Sequence, residues 1–244
     1  MKGSVVIKGV DESKYPGLYN AVEKAMKSYS IRKIRVIILP WGVNAFALSL
    51  IGDYLFIARR ILEIMDDKEL EVIIAHEFSH IFNRDSLIAL VISLIFGMPL
   101  FYFSYLIEKT NKISPDLGLL YLFSLLLFLY GLKVRNRVTL KLEIIADREA
   151  VIKTKNPDAL KKALLKLYFE SSMIKKRPGY LKTITTTFDH LSWYFYGQTH
   201  PHLKERIELL EFAEKFLVRN KNISSVQNQT TKNLTHTKPR DSFA

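Results

Sequence analysis

The sequence predicts an α+β fold, mainly α, with a small N-terminal β-sheet and a two-helix transmembrane hairpin inserted between two halves of one domain. Three observations lead there. A β-branched run, Ile34 to Leu39, is closed by Pro40 and reads as a strand. Two long uncharged runs, Ser86–Ile107 with 22 residues and Leu117–Leu132 with 16, sit in the middle of the chain. Most of the remainder carries apolar residues at helical spacing.

Taken in order, residues 15–29 have a helical pattern and precede the Ile34–Leu39 strand. Ala45–Leu50 and Tyr54–Ala58 flank Ile51-Gly52-Asp53 and read as a hairpin, with a short helix over 59–65. Asp66-Asp67 supplies an N-cap for a helix that runs through about Asn83. The two apolar runs follow, joined by the polar loop Glu108–Asp116. At 1.5 Å per residue the first is long enough to span a bilayer, and the second needs its flanks. Gly97 and Pro99 interrupt the first run. Neither run has a polar face, and a chain of 244 residues has little protein with which to cover two such helices all round. Beyond the hairpin, Val138–Lys153 reads as a separate helix, Pro157 opens a basic amphipathic helix to about Lys176, and a last helix is expected over 202–217. The expected divisions are 1–85, 86–134, 135–219 and a disordered polar tail, 220–244.

The formal charge of +12 suits either a nucleic acid or an anionic membrane surface as partner. Much of it flanks the apolar runs, and no nucleic-acid-binding motif is legible, so the bilayer is the expected partner and nucleic acid is not. The chain has no cysteine, which excludes disulfides and thiolate metal sites. Residues 1–16 have no apolar core of the kind a cleavable signal peptide needs.

The chemistry is carried by His76-Glu77-Phe78-Ser79-His80. On a helix, positions i and i+4 share a face, so both imidazoles can reach one cation. Zinc held by three protein groups keeps a position for water and lowers its pKa to about 7, and Glu77 is placed to take that water's proton as general base. The flanks Val72–Ala75 and Phe78, Ile81, Phe82 are apolar, so the helix is buried, and buried histidines need polar partners. The third ligand must come from elsewhere. Glu143-Ile144-Ile145-Ala146-Asp147 offers Glu143, with Asp147 one turn on to accept the N–H of a ligand histidine. Alone, such a pair would be a solvated helix face; beside an HExxH it is the expected partner. His76 and Glu143 lie on either side of the hairpin, and two spans return the chain to the same side.

At this point the chain resembles the HtpX-type membrane zinc metalloproteases, relatives of the CAAX prenyl protease. The resemblance rests on HEFSHIFNRD (76–85), NAFA (44–47), EIIAD (143–147) and THPHLKERI (199–207), in that order. It implies a zincin-type domain of the gluzincin class, hydrolysing peptide or protein substrates, with Zn2+ on His76, His80 and Glu143. It also implies Asp147 as a supporting carboxylate, and Asn44, Ala45, Phe46 and Ala47 as the strand that pairs with an extended substrate. His200 would donate to the carbonyl oxygen as it becomes an oxyanion, and Arg206 would orient it or hold a carboxylate. Leu48-Ser49 departs from the small residues expected after NAF. The competing expectation is a non-catalytic zinc-binding membrane scaffold, which would be free to lose Glu77. Lys and Arg near the spans number five on the catalytic side (Arg84, Lys133, Arg135, Arg137, Lys141) against two in the loop (Lys109, Lys112), which predicts a cytoplasmic catalytic side.

Overall fold

A computed structural model describes residues 6–110, 114–175 and 203–211. Its elements are β1 (Val6–Lys8), α1 (Pro16–Tyr29), β2 (Lys33–Leu39), β3 (Ala45–Ser49), β4 (Asp53–Ala58), α2 (Arg59–Ile64), α3 (Asp67–Phe82), α4 (Asp85–Thr110), α5 (Pro115–Thr154) and α6 (Pro157–Lys175), followed by a helical segment over 203–211. The strands form one sheet in the order β1-β2-β4-β3. β1, β2 and β4 are parallel, and β3 pairs antiparallel with β4 at the edge, as the hairpin pattern predicts. β1 lies in the N-terminal segment for which no element is predicted; three residues carry too little pattern to show in the sequence. Gly9 ends it at φ 91°, where a side chain would run into the Val36 carbonyl, so only glycine fits.

The core lies between the sheet and α1 and α3. Val22, Met26, Ile34, Leu55, Ile57, Val72, Ile74 and Phe78 are all fully buried there. α3 starts on a reciprocal cap. Asp66 Oδ1 accepts from the Lys68 and Glu69 backbone N–H at 2.9 Å each, and Glu69 Oε2 accepts from the Asp66 N–H at 2.9 Å. Lys166 on α6 donates to the same Glu69 oxygen at 2.6 Å, so a buried carboxylate is satisfied and α6 is tied to the start of α3.

The hairpin forms as expected, with one correction. The second apolar run and the ligand helix are a single 40-residue helix, α5. The charged stretch 133–137 reads as the end of a span, but it holds no glycine or proline, and nothing in it breaks a helix. At 1.5 Å per residue α5 is about 60 Å long, roughly twice a bilayer core. α4 likewise runs unbroken through Gly97 and Pro99. Only 6% of the most apolar stretch of α4 is buried, and 11% of that of α5, which is the reverse of a soluble core helix. The expected disordered tail, 220–244, falls outside the described residues.

α4 and α5 pack through Phe96, which meets Tyr130 edge-on with ring centroids 6.0 Å apart and lies over Gly131. A Cβ at Gly131 would overlap the Phe96 side chain, whereas one at Gly97 would meet Phe101 at an ordinary 3.7 Å. Gly131→Ala is therefore expected to lower stability by about 1–3 kcal/mol through overpacking. Gly97→Ala should be neutral or stabilising, since alanine favours helix by about 1 kcal/mol. Thermal unfolding of the two variants in detergent checks this, and equal melting temperatures would contradict the packing.

Candidate metal centre

α3 and the part of α5 beyond the apolar run lie side by side, tied on the far face by Ser79 Oγ, which donates to Glu149 Oε2 at 2.6 Å. On the near face α3 presents His76, Glu77 and His80, and α5 presents Glu143 and Asp147. The imidazoles stand almost perpendicular, at 84°, with Nε2 atoms 3.2 Å apart. Glu143 Oε2 is 3.6 Å from His76 Nε2, and Oε1 is 3.7 Å from His80 Nε2. Zinc–ligand bonds of about 2.0–2.2 Å at tetrahedral angles separate neighbouring ligand atoms by about 3.3–3.6 Å. The two Nε2 atoms and the nearer Glu143 oxygen of each come close to that spacing, and one ligand atom from each of the three residues lies within 4.8 Å of the others.

The other ring nitrogens explain why both Nε2 atoms can turn inward. His76 Nδ1 lies 2.9 Å from Asp147 Oδ1, although its N–H direction is too oblique for a well-formed hydrogen bond. His80 Nδ1 lies 2.6 Å from Asp85 Oδ2. Each carboxylate draws a ring proton to Nδ1 and leaves the Nε2 lone pair for a cation. Two Nε2 atoms facing each other at 3.2 Å beside a carboxylate call for positive charge between them, carried by a proton or by a cation. The electrostatics agree. Burial disfavours the His76 imidazolium, but Asp147 and Glu143 outweigh it and push the group up to about 10. A divalent cation satisfies the same demand without the proton. The donor set thus fits a metal.

Asp147 is doubly held. Arg206, buried on the 203–211 segment, donates from Nε to Asp147 Oδ2 at 2.7 Å and from Nη2 to Oδ1 at 2.6 Å. Its Nη1 lies 3.6 Å from Glu143 Oε2. Burial works against the Asp147 carboxylate, but His76 and Arg206 hold it below its ordinary value. The carboxylate that Arg206 holds in the structure is that of Asp147.

His76, His80 and Glu143 face a cleft of about 500 Å³. Asn44, Ala45, Phe46 and Ala47 form one wall, along the edge strand β3, and Glu77 opens into the cleft beside the histidines. Ile73, Leu142, Leu164 and Leu167 make an apolar side. Ser86, Ala89, Leu90 and Ser93 bring in the first turns of α4, so the cleft reaches the root of the hairpin. His200 lies outside the described residues.

Sequence reasoning missed Asp85. At about 100° per residue, position i+5 on an unbroken helix falls about 140° from His80, off its face. Arg84, at φ 55°, interrupts the helix and turns Asp85 back. A non-glycine residue in the left-handed region has no sequence signature.

Comparison with known proteins settles the family. A profile of peptidase family M48 matches residues 14–214. The chain belongs to peptidase family M48. Among curated relatives, a protease HtpX homolog of Nostoc punctiforme is 30% identical over 223 residues, covering 85% of this chain and 77% of the relative. Another from Pyrococcus furiosus is 30% identical over 218 residues, covering 82% and 74%. A third, from Bacteroides fragilis, is 29% identical over 222 residues, covering 80% and 67%. No solved structure gives a significant match. M48 membership makes the chain a metalloprotease, and with HtpX relatives and two apolar helices it is a membrane protein with two spans.

Two outcomes follow for this M48 peptidase. Asp147→Asn and Asp85→Asn should each weaken metal affinity about 10–100-fold. Only Asp147→Asn should also destabilise the metal-free fold, by about 1–3 kcal/mol, because it removes the short ion pair of the buried Arg206 and leaves it the longer approach to Glu143. Metal titration and thermal unfolding of both variants separate these effects. Asp147 and Glu143 favour a proton on His76 in the metal-free form, up to about 10, so metal binding there is expected to release about one proton and to tighten as pH rises toward that value. Calorimetry in buffers of different ionisation enthalpy reads the proton count, and a count of zero contradicts it.

Proposed function

We propose that the chain is a membrane-anchored zinc endopeptidase of the gluzincin type, built on a zincin-type domain, in which His76, His80 and Glu143 hold Zn2+. The observation that carries this reading is the convergence of three ligand atoms within 4.8 Å of one another, with Glu77 beside them in one cleft. Bound there, zinc would supply a Lewis acid that acidifies water and polarises a peptide carbonyl.

The protein's own part is positioning and proton transfer. An extended peptide pairs with the edge strand at Asn44–Ala47, which among the described residues pairs only with β4. That lays the scissile carbonyl along the histidine face of α3. The Glu77 carboxylate accepts the proton of the attacking water and returns it to the leaving amine. Its burial keeps bulk water from competing for that proton. Asp147 and Asp85 hold the two imidazoles in the tautomer that offers Nε2, and Arg206 keeps Asp147 in place. His200 is proposed as donor to the developing oxyanion, on the strength of the THPHLKERI motif.

Glu77→Gln is expected to keep the fold and zinc, yet lose peptidase turnover by about 100-fold or more, since an amide cannot accept the proton. Zinc content and cleavage of a casein-type substrate in detergent, wild type against variant, test this. Near wild-type turnover would remove Glu77 from the mechanism, whereas a zinc-loaded wild type without turnover would leave the non-catalytic scaffold as the better reading. Full zinc occupancy in Glu143→Ala would remove Glu143 from the metal.

We also propose that the catalytic side is cytoplasmic. Five Lys and Arg flank the spans on that side against two in the loop. A reporter fused after Ala244 should map inside the cell, and an outside signal contradicts the orientation.

A further inference from the structure

We infer that the tip of the β3–β4 hairpin rests in the interfacial layer of the bilayer that α4 enters, as a second membrane contact for the peptidase head. The inference rests on the reading of α4 as a span and goes beyond it.

The tip is strongly apolar and exposed. Leu48 is 37% exposed, Leu50 47%, and Ile51 fully exposed. A two-strand turn of a water-soluble domain would normally be polar at this point. Its height relative to the span is fixed by a contact. The Ser49 backbone N–H donates to Ser86 Oγ, in the first turn of α4, at 3.4 Å. The apolar surface of the tip therefore continues into that of α4, where Leu87, Ile88 and Val91 are exposed from the first turns onward. The same end of the sheet is basic. Arg32, Lys33 and Arg35 are exposed there, and the strand register puts Arg35, Tyr54 and Leu48 in one row. Arg35 lies over the Tyr54 ring, 5.5 Å from its centroid. The acid at this end, Asp53, accepts from Ser49 Oγ at 2.7 Å. An apolar point ringed by arginine, lysine and tyrosine is the composition that settles at headgroup level on an anionic leaflet. Seated this way, the tip would hold β3, and with it the substrate-pairing edge, at a fixed height above the membrane. A tethered segment leaving the bilayer would then meet the cleft directly.

The chain contains no cysteine, so single reporters can be introduced without background. Ile51→Cys, Ile95→Cys on the exposed face of α4, and Glu63→Cys on α2, beyond the other end of β4, would each carry an NBD label. The labelled proteins would be placed in phosphatidylcholine–phosphatidylglycerol vesicles. The label at Ile51 should be blue-shifted and lose most of its emission to a lipid nitroxide placed near the headgroups. The label at Ile95 should respond to a nitroxide deep in the chains, and the label at Glu63 only to aqueous iodide. If the Ile51 label follows Glu63, the inference is wrong. A blue shift there with no response to lipid nitroxide would mean that protein covers the tip, a second copy or another segment of the chain, and also overturns it. Lack of lipid quenching at Ile95 would defeat the span reading itself. In the same vesicles Ile51→Asp should slow cleavage of a membrane-tethered peptide several-fold while a soluble peptide is cut at the wild-type rate. Equal rates on the tethered peptide would count against the tip.

Discussion

Gathering Glu77, Asp85, Glu143 and Asp147 around two imidazoles in a cleft shielded from water is tolerable only where positive charge is bound among them. Arg206 supplies one such charge from within the chain, by a two-pronged grip on Asp147. The rest of the demand falls on the point between the two Nε2 atoms and Glu143. This imbalance connects the metal, the tautomers of the histidines and the burial of the 203–211 segment. Removing any one carboxylate changes the charge felt by the others, so their effects on metal binding should not be independent.

The imbalance is maintained mechanically by α5. One helix carries the second span and then, without a break, Glu143 and Asp147. Rotation or tilt of the hairpin is therefore transmitted to Glu143 and Asp147, while α3 is fixed separately by its cap, by Lys166 and by the core under the sheet. The Ser79–Glu149 hydrogen bond and the Asn83 side-chain amide, which donates to Glu149 Oε2 at 3.4 Å, tie the two helices together on the face away from the histidines. The hairpin is thus part of the frame of the site as well as its anchor. Its upper turns also complete the cleft through Ser86, Ala89, Leu90 and Ser93.

The local chemistry was legible because it is encoded at short range. The i, i+4 spacing of His76 and His80 defines a helix face, and Glu77 follows from it. The acid pair Glu143 and Asp147 obeys the same rule on a second helix. The hairpin strands, the N-cap at Asp66 and the two apolar runs are likewise set by neighbouring residues, through period, capping chemistry and hydrophobic length. Family resemblance drew attention to Arg206 and to the 44–47 strand, which periodicity would have left as a surface arginine and an ordinary edge.

The sequence by itself determined most of the elements, which residues share the His76–His80 and Glu143–Asp147 helix faces, and the two spans, because each depends on the side chains of a few adjacent residues. Only the tertiary structure decided how those faces meet. The join of span and ligand helix depends on residues 133–137 staying helical against their charge, which no breaker forbids and no pattern announces. The partnership of Asp85 with His80 depends on one left-handed residue, Arg84. The capture of Asp147 by Arg206 spans 59 positions in the chain and arises only when the last described helix closes over α5. Such contacts follow from packing geometry, in which a turn of one backbone dihedral relocates a carboxylate, and spacing along the chain does not encode them.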